Sequence, residues 1–139
     1  MIVLDTNVIC ELWKAEPNPQ VVTWVDEQAI ETLYLSAVTV AELRYGLAAM
    51  PQGKRRSHFI QRLNQEVLPL FAGRVLPFDL PASEAYATLM AHARASGQPI
   101  GLADGYIAAT ARVHHFSVAS RDASPFQAAG VRVINPWAA

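Results

Sequence analysis

Hydrophobic positions in this chain switch repeatedly between two periods. Ile2-Val3-Leu4 is a short β-rich run closed by Asp5-Thr6-Asn7, and a helical stretch follows to about Lys14, stopped ahead of Pro17 and Pro19. Val21, Val22, Trp24 and Val25 predict a second helix ending near Ala29, and Leu33-Tyr34-Leu35 a second strand. Thr39 to Met50 reads as a helix stopped by Pro51 and Gly53. Lys54 to Phe71 reads as a longer amphipathic helix, with Phe59, Ile60, Leu63, Val67, Leu70 and Phe71 at three- and four-residue spacings and a kink or early end at Pro69. Val75-Leu76 is a third strand. Pro81–Ser96 and Leu102–His114 are helices, Ser117-Val118-Ala119 a fourth strand and Val131–Ile134 a fifth. Strands alternating with helices predict an α/β fold, a parallel sheet of four to five strands covered by helices on both faces.

The chain has 139 residues, 52% hydrophobic and 17% charged, which predicts one domain spanning residues 1–139 with a single sizeable core. The net charge of −1 does not advertise a polyanion binder, so any attraction to nucleic acid must be local. The single cysteine, Cys10, excludes an intrachain disulfide and is expected to be a small buried hydrophobe. No apolar run approaches the ~20 residues of a membrane span, and the N-terminus lacks a basic, then apolar, leader. A soluble, cytoplasmic protein is expected.

Open parallel sheets place their sites at the carboxyl ends of strands. Asp5 is the first residue after strand one, Asp122 follows strand four, and Glu42 lies in the first turns of the helix after strand two. Asp104 opens the helix before strand four and joins the other three if that helix starts at the same edge. Four acids on one rim need a compensating charge, and oxygen-only ligands select a hard cation, Mg²⁺ or Mn²⁺.

Each acid also has a local structural role open to it. Asp5 and Asp104 suit helix caps, Thr39-Val40-Ala41-Glu42 fits a capping box, and Asp122 suits an Asx-turn before Ser124-Pro125. Asp79, followed by Leu80-Pro81, is explained fully as a cap with an early proline. Lys54-Arg55-Arg56 with His58 and Arg62 reads as the solvated face of an amphipathic helix. His92, His114 and His115 lack the spacing of a zinc site. Phosphotransfer folds that also carry acids at strand ends fit poorly. Asp5-Thr6-Asn7 is not the Asp-x-Asp of a haloacid-dehalogenase-type enzyme, and the only lysines, Lys14 and Lys54, come too early for a receiver domain.

Four segments stand in order: Val3-Leu4-Asp5-Thr6-Asn7; Leu35-Ser36-Ala37-Val38-Thr39-Val40-Ala41-Glu42-Leu43; Ala103-Asp104-Gly105-Tyr106-Ile107-Ala108-Ala109-Thr110-Ala111; and Val118-Ala119-Ser120-Arg121-Asp122. The tail is Asn135-Pro136-Trp137. In these motifs, over nearly its whole length, the sequence resembles the PIN-domain ribonucleases, specifically the VapC-type toxins of toxin–antitoxin pairs and their FitB-like subgroup. The resemblance implies a PIN-like three-layer sandwich and an acidic quartet of Asp5, Glu42, Asp104 and Asp122 around one or two Mg²⁺ or Mn²⁺ ions. It implies that Asn7 buttresses Asp5 by hydrogen bonding, and that Ser120 keeps a hydroxyl where the family commonly has Thr.

It further implies an RNA substrate, a homodimer, and a cognate DNA-binding antitoxin that blocks the site and carries the pair onto operator DNA. The helices from Thr39 to Phe71 would form much of the antitoxin groove, with an antitoxin Arg reaching toward Asp5, Glu42 and Asp104. The alternative is a catalytically weak subunit that mainly tightens operator binding by its antitoxin.

Overall fold

Five strands, each two to four residues long, pair side by side and all in parallel in the order β3-β2-β1-β4-β5: β1 Ile2–Leu4, β2 Leu33–Ser36, β3 Val75–Leu76, β4 Ser117–Ala119 and β5 Val133–Ile134. The computed structural model describes all residues, Met1–Ala139. Residue-level register is set at the centre, where Val3 sits opposite Tyr34 on one side and Val118 on the other. Side chains alternate across the sheet. Val3 and Val118 therefore enter one core with Leu89, Ile107 and Phe126, while Leu4 and Ala119 enter a second with Val8, Leu35 and Leu63. Both faces are buried, as an all-parallel sheet requires.

Helices α1 (Thr6–Leu12), α2 (Pro19–Asp26), α3 (Ala37–Ala48), α4 (Lys54–Arg62) and α5 (Leu68–Leu70) are arrayed around the second core. Helices α6 (Leu80–Ala95), α7 (Leu102–Val113) and α8 (Ser124–Ala128) cover the first. The three-layer α/β/α sandwich expected from the sequence is the fold observed. No helix is long and apolar enough to cross a membrane. Helices α6 and α7 approach closely at Gly105, where an added Cβ would stand 2.7 Å from the Met90 sulfur and 3.1 Å from the Tyr86 ring. That contact sets how closely α7, with Asp104 in its first turn, packs against α6.

Four expectations need correction. Helix α3 starts at Ala37, not Thr39: the Ser36 hydroxyl accepts from the Thr39 N–H, so Ser36 is the cap and Thr39 to Glu42 is not a capping box. The long helix after Lys54 is interrupted before Pro69. Over Leu63–Val67 the chain widens by one residue, with the Leu68 N–H donating to Leu63. A proline ring collides with the carbonyl four residues back, and the wider turn relieves that. The last strand is Val133–Ile134 only; ahead of it Ser124–Ala128, to which the sequence reading assigned no element, is the short helix α8. Cys10 is exposed, not buried. The Asp79 cap holds: its carboxylate accepts from the Ala82 N–H, with Pro81 in the first turn.

Candidate active site

Strands β1 and β4 are neighbours, yet the chain leaves them toward opposite sides of the sheet. That reversal opens a crevice at their carboxyl ends. Asp5 is the first residue beyond β1 and Ser120 the first beyond β4. Asp5 is buried, 6% exposed. One of its oxygens accepts from the Thr6 N–H at 2.8 Å, capping α1, and the other accepts from the Ser120 hydroxyl at 2.7 Å. So Asp5 fills both of the roles its sequence position left open, a helix cap and a member of the acidic cluster.

Ser120 is the hub of the crevice. Besides donating to Asp5, its oxygen accepts from the Asn7 side-chain amide at 3.3 Å and from the Asp122 N–H at 3.1 Å. Asn7 therefore reaches Asp5 through Ser120 rather than directly, and its carbonyl oxygen also accepts from the Arg121 N–H at 3.4 Å. The backbone N–H of Asp122 is fixed by the same hydroxyl, while its side chain is exposed. Loss of that hydroxyl in Ser120→Ala unties three residues at once. Affinity for any Mg²⁺ or Mn²⁺ that the rim takes up, measured by calorimetry, is expected to fall about 10- to 100-fold, the usual cost of losing a group that orients a metal ligand. The melting temperature in chelator should move little by comparison.

Glu42 projects from α3 and accepts from the Thr6 hydroxyl at 2.7 Å. The Thr6 oxygen lies 3.4 Å from that of Thr39, which is 3.2 Å from that of Ser36. Thr6, Thr39 and Ser36 form a hydroxyl scaffold that the sequence reading did not assign. The signal present was three hydroxyl residues at two strand ends, Thr6 after β1 and Ser36 and Thr39 around the end of β2, in segments otherwise apolar. Asp104 stands in the first turn of α7, whose cap position is Gly101. Its helix does start at the shared edge, so the structure brings Asp5, Glu42, Asp104 and Asp122 to one rim.

The electrostatics record that gathering. Burial, with the charges of Asp5, Asp122 and Glu42 added, pushes the Asp104 carboxyl up to about 6. Burial also raises Asp5, against the hydrogen bonds from Ser120 and Thr6 that favour its anion. Ion pairs within the protein join Lys14 to Glu11 and Arg62 to Glu66, and none engages the four acids. The donor set is thus oxygen-only, crowded and unneutralised. As the side chains stand, no three gather tightly enough to enclose an ion. Partial desolvation and the nearby Glu42 and Asp5 carboxylates push the Cys10 thiol up, so it is not an activated thiolate beside them.

Of the basic stretch expected to form a solvated helix face, Lys54, Arg55 and His58 are solvent-exposed, whereas Arg56 and Arg62 are half-buried. Arg44 turns away from Glu42 and donates to Asn64. Tyr106 packs in an aromatic cluster with Tyr86 and Phe78. An apolar groove of about 220 Å³ runs along the other helical layer, lined among others by Leu12, Trp13, Val25, Val67 and Leu70. Its walls are α1, the end of α2, the turn at Ile30 leading into β2, and the turns from Arg62 to Phe71, with Leu4 of β1 also in the lining and no contribution from α3.

The PIN domain family matches residues 2–131. A VapC ribonuclease, Y4jK, of Sinorhizobium fredii is 71% identical over 137 residues, spanning 99% of this chain and 98% of the relative. Toxin FitB of Neisseria gonorrhoeae is 53% identical over 99% of both chains. The solved structure of FitAB bound to an IR36 DNA fragment contains a chain 51% identical, superposing with a TM-score of 0.96 over 99% of this chain and 96% of that one. The chain belongs to the PIN-domain family and, within it, to the VapC and FitB group of toxins.

Proposed function

We propose that this protein is a divalent-metal-dependent endoribonuclease that hydrolyses RNA phosphodiester bonds, with Asp5, Glu42, Asp104 and Asp122 as its catalytic carboxylates. The observation that carries the reading is the unneutralised rim itself. Four acids converge where two central strands part, one of them pushed up to about 6, with no basic side chain paired to any. Such a rim repels a phosphodiester until a cation intervenes. Hard oxygen donors fit Mg²⁺ or Mn²⁺. Asp122 is exposed and its side chain is free to rotate toward an ion, Glu42 is exposed and oriented by Thr6, and Asp5 is held rigidly by Ser120 and Thr6.

A divalent cation, when bound, supplies Lewis acidity and countercharge at the phosphodiester. The chain's own residues do the rest. Asp5 and Asp104 would be the cation's fixed ligands, one locked by hydrogen bonds and the other carried on the first turn of α7. Glu42, oriented by Thr6, is placed to hold an ion or take a proton from the attacking water. Ser120 keeps the Asp5 anion aligned, and Asn7 keeps Ser120 aligned.

The activity belongs to the toxin of a type II toxin–antitoxin pair. A cognate DNA-binding antitoxin silences it, with an apolar segment in the groove lined by Trp13, Val25 and Leu70. Support comes from the family and from the relative solved as FitAB on DNA. The toxin itself is a homodimer, consistent with exposed Tyr45, Phe78, Leu80 and Leu102.

The test is cleavage of defined RNAs by the isolated chain. Cutting is expected with Mg²⁺ or Mn²⁺ and none in chelator. Cleavage indifferent to metal, or absent in both while the chain still tightens its antitoxin on operator DNA, overturns the proposal in favour of the non-catalytic subunit.

A further inference from the structure

A cleft of about 550 Å³ opens beside Asp104 and Asp122, within the ~300–1,000 Å³ range of small-ligand sites. One wall is the turn Gln98, Pro99 and Gly101 leading into α7; the other is α8, with Ser124, Pro125 and Gln127. Each wall is continuous in the chain with a carboxylate of the rim. Asp104 follows Gly101 by about one turn, and Asp122 lies two residues before the start of α8. A ligand seated here is therefore held at a fixed offset from the rim.

The lining chemistry narrows what that ligand is. No Lys or Arg lines the cleft, and its charged lining residues are Asp104 and Asp122. A phosphate in it would meet only negative charge. What the walls offer is neutral hydrogen bonding. Gln98, Ser124 and Gln127 are exposed, and their side chains make no hydrogen bond within the protein. Primary amides carry a donor pair and an acceptor side by side, which matches the edge of a nucleobase. Single-stranded RNA is read in this way, by bases turned out of the stack and bonded along their edges. The rings of Pro99 and Pro125 give such a base apolar surface for its faces.

We propose that this cleft is a base-reading subsite. It takes one unpaired nucleobase adjoining the scissile phosphodiester, with the amides of Gln98 and Gln127 bonding its edge. The assignment rests on the ribonuclease reading and deepens it: the acids cut wherever a phosphodiester is presented, and the amides select which one.

Gln98 and Gln127 are exposed and unpaired, so Gln98→Ala, Gln127→Ala and the double variant leave the fold alone, which a melting curve checks. Two readouts separate the subsite from the chemistry. The first is fluorescence anisotropy of labelled RNA hexamers differing in one base, with Mg²⁺, in an Asp5→Asn background that does not cut. The second is mapping of cut positions in an RNA with a randomised segment, without the Asp5 change. The intact cleft is expected to discriminate about ten-fold among bases at one position, the worth of a hydrogen-bonded pair. The double variant should fall to within about two-fold by both readouts.

Unchanged discrimination in the double variant, while RNA is still cut, overturns the subsite and leaves the ribonuclease reading standing. Base-dependent binding that the double variant loses, with no RNA cut by any form, does the reverse. A cleft that shows no base discrimination, or that a protein partner occupies instead, overturns the subsite too.

Discussion

Asp5→Asn is expected to abolish RNA cleavage, a fall on the order of 10³-fold or more, while the chain stays folded. The two outcomes separate because Asp5 has two roles that depend on different properties. Its cap on α1 needs an acceptor oxygen toward the Thr6 N–H, and an asparagine carbonyl provides one. The second position becomes an amide facing the Ser120 hydroxyl, whose two acceptor sites Asn7 and Asp122 already fill, so the bond between the two side chains is lost. What vanishes is a buried negative charge whose carboxyl burial already pushes up. Removing it lowers like-charge repulsion with Glu42 and Asp122, so stability in chelator should hold or rise by about 1 kcal/mol. Urea unfolding alongside an RNA cleavage assay reads both. If the variant unfolds, Asp5 is chiefly a cap and the acidic rim is not its main role.

Asp5 also shows how much of the site was legible in the sequence. Strand periodicity placed β1 and β4, the sheet rule placed their carboxyl ends together, and Asp5 and Asp122 followed from that alone. Asp104 needed one further condition, that α7 begins at the same edge, and it does. The supporting contacts were beyond reach because they join residues distant in the chain. Thr6 to Glu42, Thr6 to Thr39 and Asn7 to Ser120 are tertiary facts with no local period. A resemblance gave Asn7 as a support for Asp5, but only the geometry routes it through Ser120.

The fold was legible where an element is long enough to show its period, and illegible where one residue decides. Helices α6 and α7 stand close to their expected bounds. Helix α8 has five residues, too few for an amphipathic signal, and Ser124-Pro125 suits a turn as well as a first helical turn. The start of α3 turned on which hydroxyl caps it: the sequence reading took Thr39, through its capping-box spacing to Glu42, whereas Ser36 is the residue that accepts from the Thr39 N–H. The widened turn before Pro69 has no sequence signature beyond the proline itself. Missing α8 also hid the cleft, since α8 forms one of its walls.

Mg²⁺ should stabilise the protein far more above pH 6 than at pH 5, and Asp104→Asn should remove most of that difference. The Asp104 carboxyl titrates near 6 in the folded chain and near its ordinary value of 3.8 unfolded. Between those values the folded state holds a proton that the unfolded state has released, so stability falls as pH rises through that window. Above pH 6 the folded state carries the full penalty of a crowded anion, on the order of 2 kcal/mol once solvent screening of a half-exposed group is allowed for. A cation that binds only the folded, ionised site offsets this, adding about 2.7 kcal/mol at 100 times its Kd. Melting curves at pH 5 and 7.5, with and without Mg²⁺, should therefore show a large metal shift only at the higher pH. In Asp104→Asn the chelator curves should no longer fall between pH 4 and 6 on this group's account, and the metal shift at pH 7.5 should shrink. A metal shift equal at both pH values, or intact in the variant, would place the cation away from Asp104.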